Sequence, residues 1–233
     1  MQRKAFQQEK WVFGTRTFLA VLSPEERQLL LGSQPVESYA KGENIFREGS
    51  VPSGIFFIHK GMVKKYKTIH AGKQHILYIA AANELIGYHA LFTGERYPDS
   101  AMAMEDCVIS FIPKETFLSI LNSSATLLTQ FLKIMGHEFT VLTTKLAVFS
   151  QCSASERLAI ALLVLKEKYD PESRHGIPIS ISRKDLAATT GLAKENVTRL
   201  LSELKADDVI MITGGAISIK NYDKLLFKTN YFR

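Results

Sequence analysis

The chain has 233 residues, 46% of them apolar and 22% charged, with a net charge of +6 at pH 7. That length and composition support one large domain or two small ones with hydrophobic cores, and they exclude a disordered chain. The longest unbroken apolar run, Leu158 to Leu165, is far too short to cross a bilayer. The start, MQRKAFQQEKWVFGTRTF, has neither an apolar export core nor a small-residue cleavage site, so the sequence predicts a cytoplasmic protein with no membrane partner. With only Cys107 and Cys152 present, one chain cannot build a disulfide framework or a four-cysteine iron-sulfur or zinc cluster. The basic excess permits a polyanionic partner without requiring one.

In chain order, the first forty residues read as a helical lead-in. The stretch SPEERQLLL from Ser23 supplies an N-cap, a proline at the first helical position and acidic residues in the first turn. Half of the 14 glycines then fall between residues 42 and 94 (Gly42, Gly49, Gly54, Gly61, Gly72, Gly87, Gly94), each beside a short apolar or alternating run such as IFFI at 55 or HILYIA at 75. Short strands separated by tight turns predict a sandwich or roll that ends near Ile112.

From Ser123 to Tyr169 there is no proline and a single glycine, Gly136, and the period becomes helical. Leu128, Leu132, Met135, Phe139, Leu142, Leu146 and Phe149 alternate spacings of four and three, a heptad seam of roughly 33 Å at about 1.5 Å per residue. A second stripe, Leu127, Phe131, Ile134, Val141 and Val148, lies on another face and is placed to pack on the roll. The seam then predicts a parallel homodimer interface; the alternative is one core helix with two buried faces. A break at Ser150 to Ser153 is a candidate hinge. Ser153 and Glu156 form a capping box that opens the next helix, and DPESRHGIP from Asp170 to Pro178 reads as a surface loop.

The most specific pattern starts at Ile181, in ISRKDLAATTGLAKENVTRLLSELKADDVIMITGGAISI. Ser182 can cap a helix that Gly191 ends, and a second helix runs from about Ala193 to Ala206. Small Ala187 permits close approach, Gly191 supplies a positive φ, and Val197 and Leu200 anchor the second helix on the first. The spacing predicts a helix-turn-helix, with a generic helical hairpin as the alternative. Two β-branched runs joined by Gly214-Gly215 add a wing. Lys194, Glu195, Thr198 and Arg199 share one outward face of the second helix. In a major groove Arg can hold guanine O6 and N7, Glu can accept from cytosine N4, and Thr can meet a thymine methyl. A solvated charged face is the plainer reading of those four.

Roll, heptad helix and winged module in that order resemble the Crp/Fnr family of bacterial transcription regulators, over the chain from about residue 20 to the end. The match rests on Ser182 to Leu204, with Lys194-Glu195-Asn196-Val197-Thr198-Arg199 as the recognition helix, and on KGENIFREGS at Lys41 and the glycines around Gly61. The resemblance implies an α+β fold: an N-terminal double-stranded β-roll of jelly-roll type, a long central dimerisation helix and a C-terminal winged helix-turn-helix, at residues 1–122, 123–150 and 151–233. It implies a homodimer on a palindromic operator that contacts RNA polymerase, with effector binding in the roll coupled to the heads through the central helix. By position Glu195 and Arg199 read adjacent G·C pairs and Lys194 and Thr198 tune flanking bases, while Ser182, Arg183 and Asn196 complete the DNA-contacting set. One departure is Ala193, where the family often has an N-capping Ser or Thr, a loss of about 1 kcal/mol.

The effector site departs further. Family members that bind a cyclic nucleotide carry a Glu for the ribose and an Arg-Ser-Ala for the phosphate. Here Tyr88 replaces the Glu and Asp99-Ser100-Ala101 replaces Arg-Ser-Ala. An Asp repels a phosphate that an Arg would clasp, so cyclic AMP in the usual mode is not expected. Arg96 could substitute only with a rearranged loop. The family's iron-sulfur branch needs cysteines this chain lacks. Haem on His59, His70, His75 or His89 is a further reading, although lone histidines are more often surface or hydrogen-bonded residues. Tyr88, His89, Arg96, Asp99 and Ser100 instead predict a polar pocket for an unidentified small molecule, and no metal site is assigned. Cys107 and Cys152 have no activating cation beside them in sequence and read as buried structural thiols.

An enzyme on the roll is a rival class, but the chain has no H-x-H, no P-loop, no G-x-S-x-G and no H-E-x-x-H. The other rivals are a ligand- or metal-binding dimeric sensor whose DNA binding is lost, and a regulator controlled by its own abundance. The expected mechanism is a population shift, with ligand near Tyr88 to Ser100 changing the register or angle of the helix from Leu128 to Phe149.

Overall fold

A computed structural model describes residues 6–32, 34–170 and 176–230. The described chain forms two compact units. One is Phe13–Glu138; the other joins the segment before Phe13 to the chain from Phe139 onward.

The first unit opens with α1 (Thr15–Val21) and α2 (Pro24–Arg27). The N-cap expected at Ser23 is present, and the structure completes it into a capping box: Glu26 N donates to Ser23 Oγ at 3.1 Å, and Ser23 N donates to the Glu26 carboxylate at 2.8 Å. Eight strands follow, β1 (Val36–Tyr39), β2 (Asn44–Phe46), β3 (Gly54–Lys60), β4 (Val63–Thr68), β5 (Gln74–Ala80), β6 (Leu85–Ile86), β7 (Ser100–Ala103) and β8 (Cys107–Pro113), with a short helix α3 (His89–Thr93) between β6 and β7. They build two antiparallel four-stranded sheets, ordered β1-β8-β3-β6 and β2-β7-β4-β5. Neighbours distant in sequence pair in both sheets, as a double-stranded roll requires. The last strand closes one residue after the Ile112 expected from sequence.

Two helices leave the roll, α4 (Lys114–Ser123) and the long α5 (Ala125–Gln151). Leu127, Phe131 and Ile134 on α5 join Phe18, Ile55, Leu85 and Phe117 in the roll's hydrophobic core. The rings of Phe18, Phe117 and Phe131 meet edge to face, with the Phe117 and Phe131 centroids 5.4 Å apart. The inner stripe of α5 divides at this level. Its first three members pack on the roll as expected, whereas Val141 and Val148, also buried, belong to the second unit. The division between units falls inside α5, between Glu138 and Phe139, while the sequence reading places boundaries at the two ends of that helix.

The second unit continues through α6 (Ala154–Tyr169), α7 (Arg183–Thr190), α8 (Lys194–Ala206), β9 (Ile210–Thr213), β10 (Ala216–Ile219) and α9 (Tyr222–Lys228). Its core is aliphatic: Leu158, Leu162, Leu186, Val197, Leu201, Val209, Ile217 and Leu225 are all buried. The β9-β10 hairpin turns at Gly214 (φ 57°) and Gly215 (φ 90°), the left-handed pair that a two-residue hairpin needs. A bridge from Ile179 to Ile217 adds a third strand segment to the wing. Of the loop expected from Asp170 to Pro178, residues 171–175 lie outside the described part. Its near end is tied where Gly176 N donates to the Asp170 carboxylate at 2.9 Å.

Candidate functional site

The helix-turn-helix is built by local rules. Ser182 Oγ accepts from Asp185 N at 2.9 Å and donates to the Asp185 carboxylate at 2.7 Å, so the first turn of α7 has a capped N-terminus. Gly191 ends α7 at φ 65°, and both Gly191 N and Leu192 N return to Ala187 O. Helix α8 then starts at Lys194 from an Ala193 that makes no side-chain cap. Val197, Leu200, Leu201 and Leu204 are buried, which turns Lys194, Glu195, Thr198 and Arg199 outward, all exposed, with Asn196 half-buried beside them. Arg199 is not loose on that face. Its Nη2 donates to Asn196 Oδ1 at 2.8 Å and its Nη1 donates to the Glu203 carboxylate one turn on. Arg183 on α7 is half-buried, and its Nη1 has no hydrogen-bond partner.

The heptad seam does not behave as one surface. Leu132, Phe139 and Leu146 are 61%, 70% and 69% exposed, and Leu128 and Leu142 are also exposed. Met135 instead packs against the roll core, and Phe149 is half-buried beneath Arg157. Five of the seven positions therefore present apolar surface to solvent in the single chain.

The five residues expected to line one roll pocket separate into three groups. Tyr88 is buried, and its hydroxyl donates to Glu138 Oε1, while His89 Nε2 lies 2.7 Å from Glu138 Oε2. Burial and the neighbouring Glu138 charge push the Tyr88 phenol well above its ordinary range, so it is a hydrogen-bond donor at any physiological pH. Asp99 stands just before β7, 3.0 Å from Lys65 Nζ on β4, and both side chains are only 8% exposed. Ser100 Oγ nearby accepts from Glu48 N at 2.9 Å. Arg96 is turned away and donates to Gly49 O at 2.8 Å. Tyr88 and His89 thus share one carboxylate, Asp99 has its own cation, and Arg96 has a backbone partner.

The histidines and cysteines have local explanations. His59 Nε2 lies 2.6 Å from Ser110 Oγ, and the His70 side chain is outside the described part. Among the described residues no three His, Cys, Asp or Glu side chains converge as metal ligands. Cys107 is buried and Cys152 half-buried, and burial raises both thiols above their ordinary pKa, which favours the protonated form.

Two family models match these parts, a cyclic nucleotide-binding domain over residues 36–124 and a Crp-like helix-turn-helix domain over residues 156–226. The chain belongs to the Crp/Fnr family of transcription regulators. The fumarate and nitrate reduction regulatory protein of Vibrio cholerae is 25% identical over 201 residues, which cover 85% of this chain and 79% of that one. The fumarate nitrate reduction regulatory protein of Klebsiella oxytoca is 27% identical over 187 residues, 79% of this chain and 74% of that one. Among solved structures, FixK2 from Bradyrhizobium japonicum superimposes with a TM-score of 0.76 at 20% identity, covering 83% of this chain and 96% of that one. The c-di-GMP responsive global regulator CLP of Xanthomonas campestris superimposes with a TM-score of 0.69 at 18% identity, covering 84% and 99%. These likenesses bear out the α+β reading of β-roll, long helix and winged module. No helix among the described residues is long and apolar enough to cross a membrane.

Two residues of this Crp/Fnr regulator were not singled out from sequence. Glu138 stands 50 positions from Tyr88 and sits on the buried stripe between Ile134 and Val141, where a lone carboxylate in a helix carries no sequence signal of its partners. Lys65 sits in the β4 run VKKYKT. There, strict alternation would turn one of two adjacent lysines inward without saying which, and the structure buries both.

Proposed function

We propose that this Crp/Fnr chain is a sequence-specific DNA-binding regulator that acts as a homodimer on a palindromic operator, with α8 in the major groove. The observation that carries the reading is the exposed face of Lys194, Glu195, Thr198 and Arg199, set on a helix whose opposite side is buried. Arg199 and Glu195 read G·C pairs, Lys194 and Thr198 tune neighbouring bases, and Asn196 orients Arg199. Ser182, Arg183 and the α7 N-terminus meet phosphates, where backbone amides and a cation favour an anion. The exposed residues Leu128, Leu132, Phe139, Leu142 and Leu146 form the dimer seam. The functional parts are a sensing roll at 1–122, a dimerisation helix at 123–150 and a DNA-binding head at 151–233. The protein works in the cytoplasm with RNA polymerase as its further partner, and it does no catalysis, as its regulatory relatives suggest.

The roll does not take cyclic AMP in the family's usual manner. The position that would need a cation for the cyclic phosphate holds Asp99, already paired with Lys65, and the position that would bind a ribose hydroxyl holds Tyr88, bonded to Glu138. These residues do not fit a cyclic nucleotide.

The test is selection of binding sites from random duplex DNA, followed by affinity measurement on the selected operator. Arg199→Ala is expected to cost about 1–3 kcal/mol and relax selection at one base pair, while Lys184→Ala, at an exposed lysine in the first turn of α7 placed to meet a phosphate, weakens all sequences alike and lowers the salt slope by about one. Identical behaviour of the two variants across sequences would sink base reading by α8. Absence of any DNA binding would favour a dimeric ligand sensor.

A further inference from the structure

The joint between α5 and the helix-turn-helix is stapled rather than slack. Helical hydrogen bonding runs past the end of α5, with Cys152 N donating to Val148 O at 3.0 Å, and α6 begins two residues later from the Ser153 and Glu156 capping box. On one side of this joint the Phe149 ring, from the last turns of α5, lies under the Arg157 guanidinium at 5.8 Å. Arg157 Nη1 also donates to Thr190 O at 3.1 Å, satisfying one of the carbonyls left open at the C-terminus of α7. The next residue is Gly191, in the left-handed region, and a Cβ there would fall 2.9 Å from Phe149 Cε1. The ring therefore occupies the place of a side chain at the turn of the helix-turn-helix. Three independent features, a stacked cation, a capped carbonyl and a glycine with no room for a Cβ, converge on one point.

That point connects two functional surfaces. Leu142 and Leu146, exposed on the same half of α5, belong to the proposed dimer seam, and Lys194 and Glu195 begin α8 within four residues of Gly191. All of these residues lie in one compact unit. We infer that Phe149 and Arg157 are positioning residues: by seating the Gly191 turn on the end of α5, they set the angle of α8 to the dimer seam and so set the spacing between operator half-sites. This rests on the DNA-binding reading above, and it concerns residues that touch neither base nor phosphate. Phe149 thereby has a role other than the seam position that its heptad spacing implies.

The experiment uses the full chain and a library of operators with the selected half-sites fixed and the centre-to-centre distance varied one base pair at a time. Wild type is expected to prefer one spacing, near a helical turn, by at least about tenfold over its neighbours. Arg157→Ala and the milder Phe149→Leu are expected to reduce that preference to about threefold or less while each half-site still selects the same bases. Arg157→Lys, which can still reach the Thr190 carbonyl but cannot stack as a plane, should fall between. Thermal melting and native mass confirm that each variant is a folded dimer; if Arg157→Ala unfolds, Phe149→Leu carries the comparison. Retention of the wild-type spacing preference in a folded Phe149→Leu or Arg157→Ala dimer overturns the inference and leaves DNA binding standing. Failure of wild type to bind any operator overturns the DNA-binding reading, and this inference with it.

Discussion

Lys65 Nζ lies 3.0 Å from Asp99 Oδ2 inside the roll, with each side chain only 8% exposed. Two charges removed from water in this way hold each other in place, and removal of one leaves the other buried without compensation. Lys65→Met is therefore expected to destabilise the protein by about 3–5 kcal/mol, while the double change Lys65→Met with Asp99→Asn recovers most of that loss. Urea unfolding of the single and double variants measures the coupling. Equal losses in single and double variants would show that the pair does not act as a unit.

Glu138 depends on Tyr88 and His89 in a similar way. Tyr88→Phe keeps the ring that packs edge to face on Phe131 and removes only the hydroxyl that reaches the buried carboxylate. Hydrogen bonds to charged groups contribute about 1.5–3 kcal/mol, and a loss in that range is expected on unfolding. A change below about 0.5 kcal/mol would mean that Glu138 finds another donor.

Helix α8 begins without a side-chain cap at Ala193, whose backbone is already extended at φ -70° and ψ 146°. Ala193→Ser fits that conformation and supplies an acceptor for the amides of the first turn. It is expected to stabilise the protein by about 0.5–1 kcal/mol, read as a raised unfolding midpoint. No gain would indicate that those amides are satisfied by other means.

The exposed seam carries a prediction about assembly. Leu146 is 69% exposed in the single chain, and Leu146→Glu would place a charge within the proposed dimer seam while costing the isolated chain little. Sedimentation should show the wild type as a dimer and this variant shifted to monomer at the same concentration. A monomeric wild type would remove the seam argument.

Lys145 on α5 has its pKa pushed down to about 8 by burial and by the nearby Lys168. Below about 8 the ammonium is charged in folded and unfolded chains alike, and its desolvation weakens the fold. Between about 8 and the ordinary value of 10.5 only the unfolded chain keeps the proton, so this group makes stability rise with pH across that window. Lys145→Met should flatten that slope in unfolding midpoints measured from pH 7 to 10, and an unchanged slope would show that the ammonium is not desolvated in the folded chain.

Much of the architecture is legible in local pattern. The Ser23 cap, the capping box at Ser153, the Ser182 cap, the glycine end of α7 and the Gly214-Gly215 wing all stand where the spacing places them. Each is an interaction within about four residues, so the residues that make it are also neighbours in sequence. The outward face of α8 follows from the same cause, because Val197, Leu200, Leu201 and Leu204 take the buried side and helical periodicity assigns the opposite side to solvent.

The roll site is different. Tyr88, His89, Arg96, Asp99 and Ser100 lie within thirteen residues and read as one polar pocket, yet they take separate partners, Glu138, Gly49 O, Lys65 and Glu48 N. Sequence alone determined the order of parts, the caps and turns, and which face of α8 is turned outward. Only the tertiary structure decided which buried polar groups meet, that Met135 and Phe149 turn inward from an even heptad, and that the compact units divide inside α5. The physical reason is that a helix or a turn is specified by neighbours along the chain. The partner of a buried charge is specified by which sheet or helix packs above it, and nothing in the local pattern records that choice.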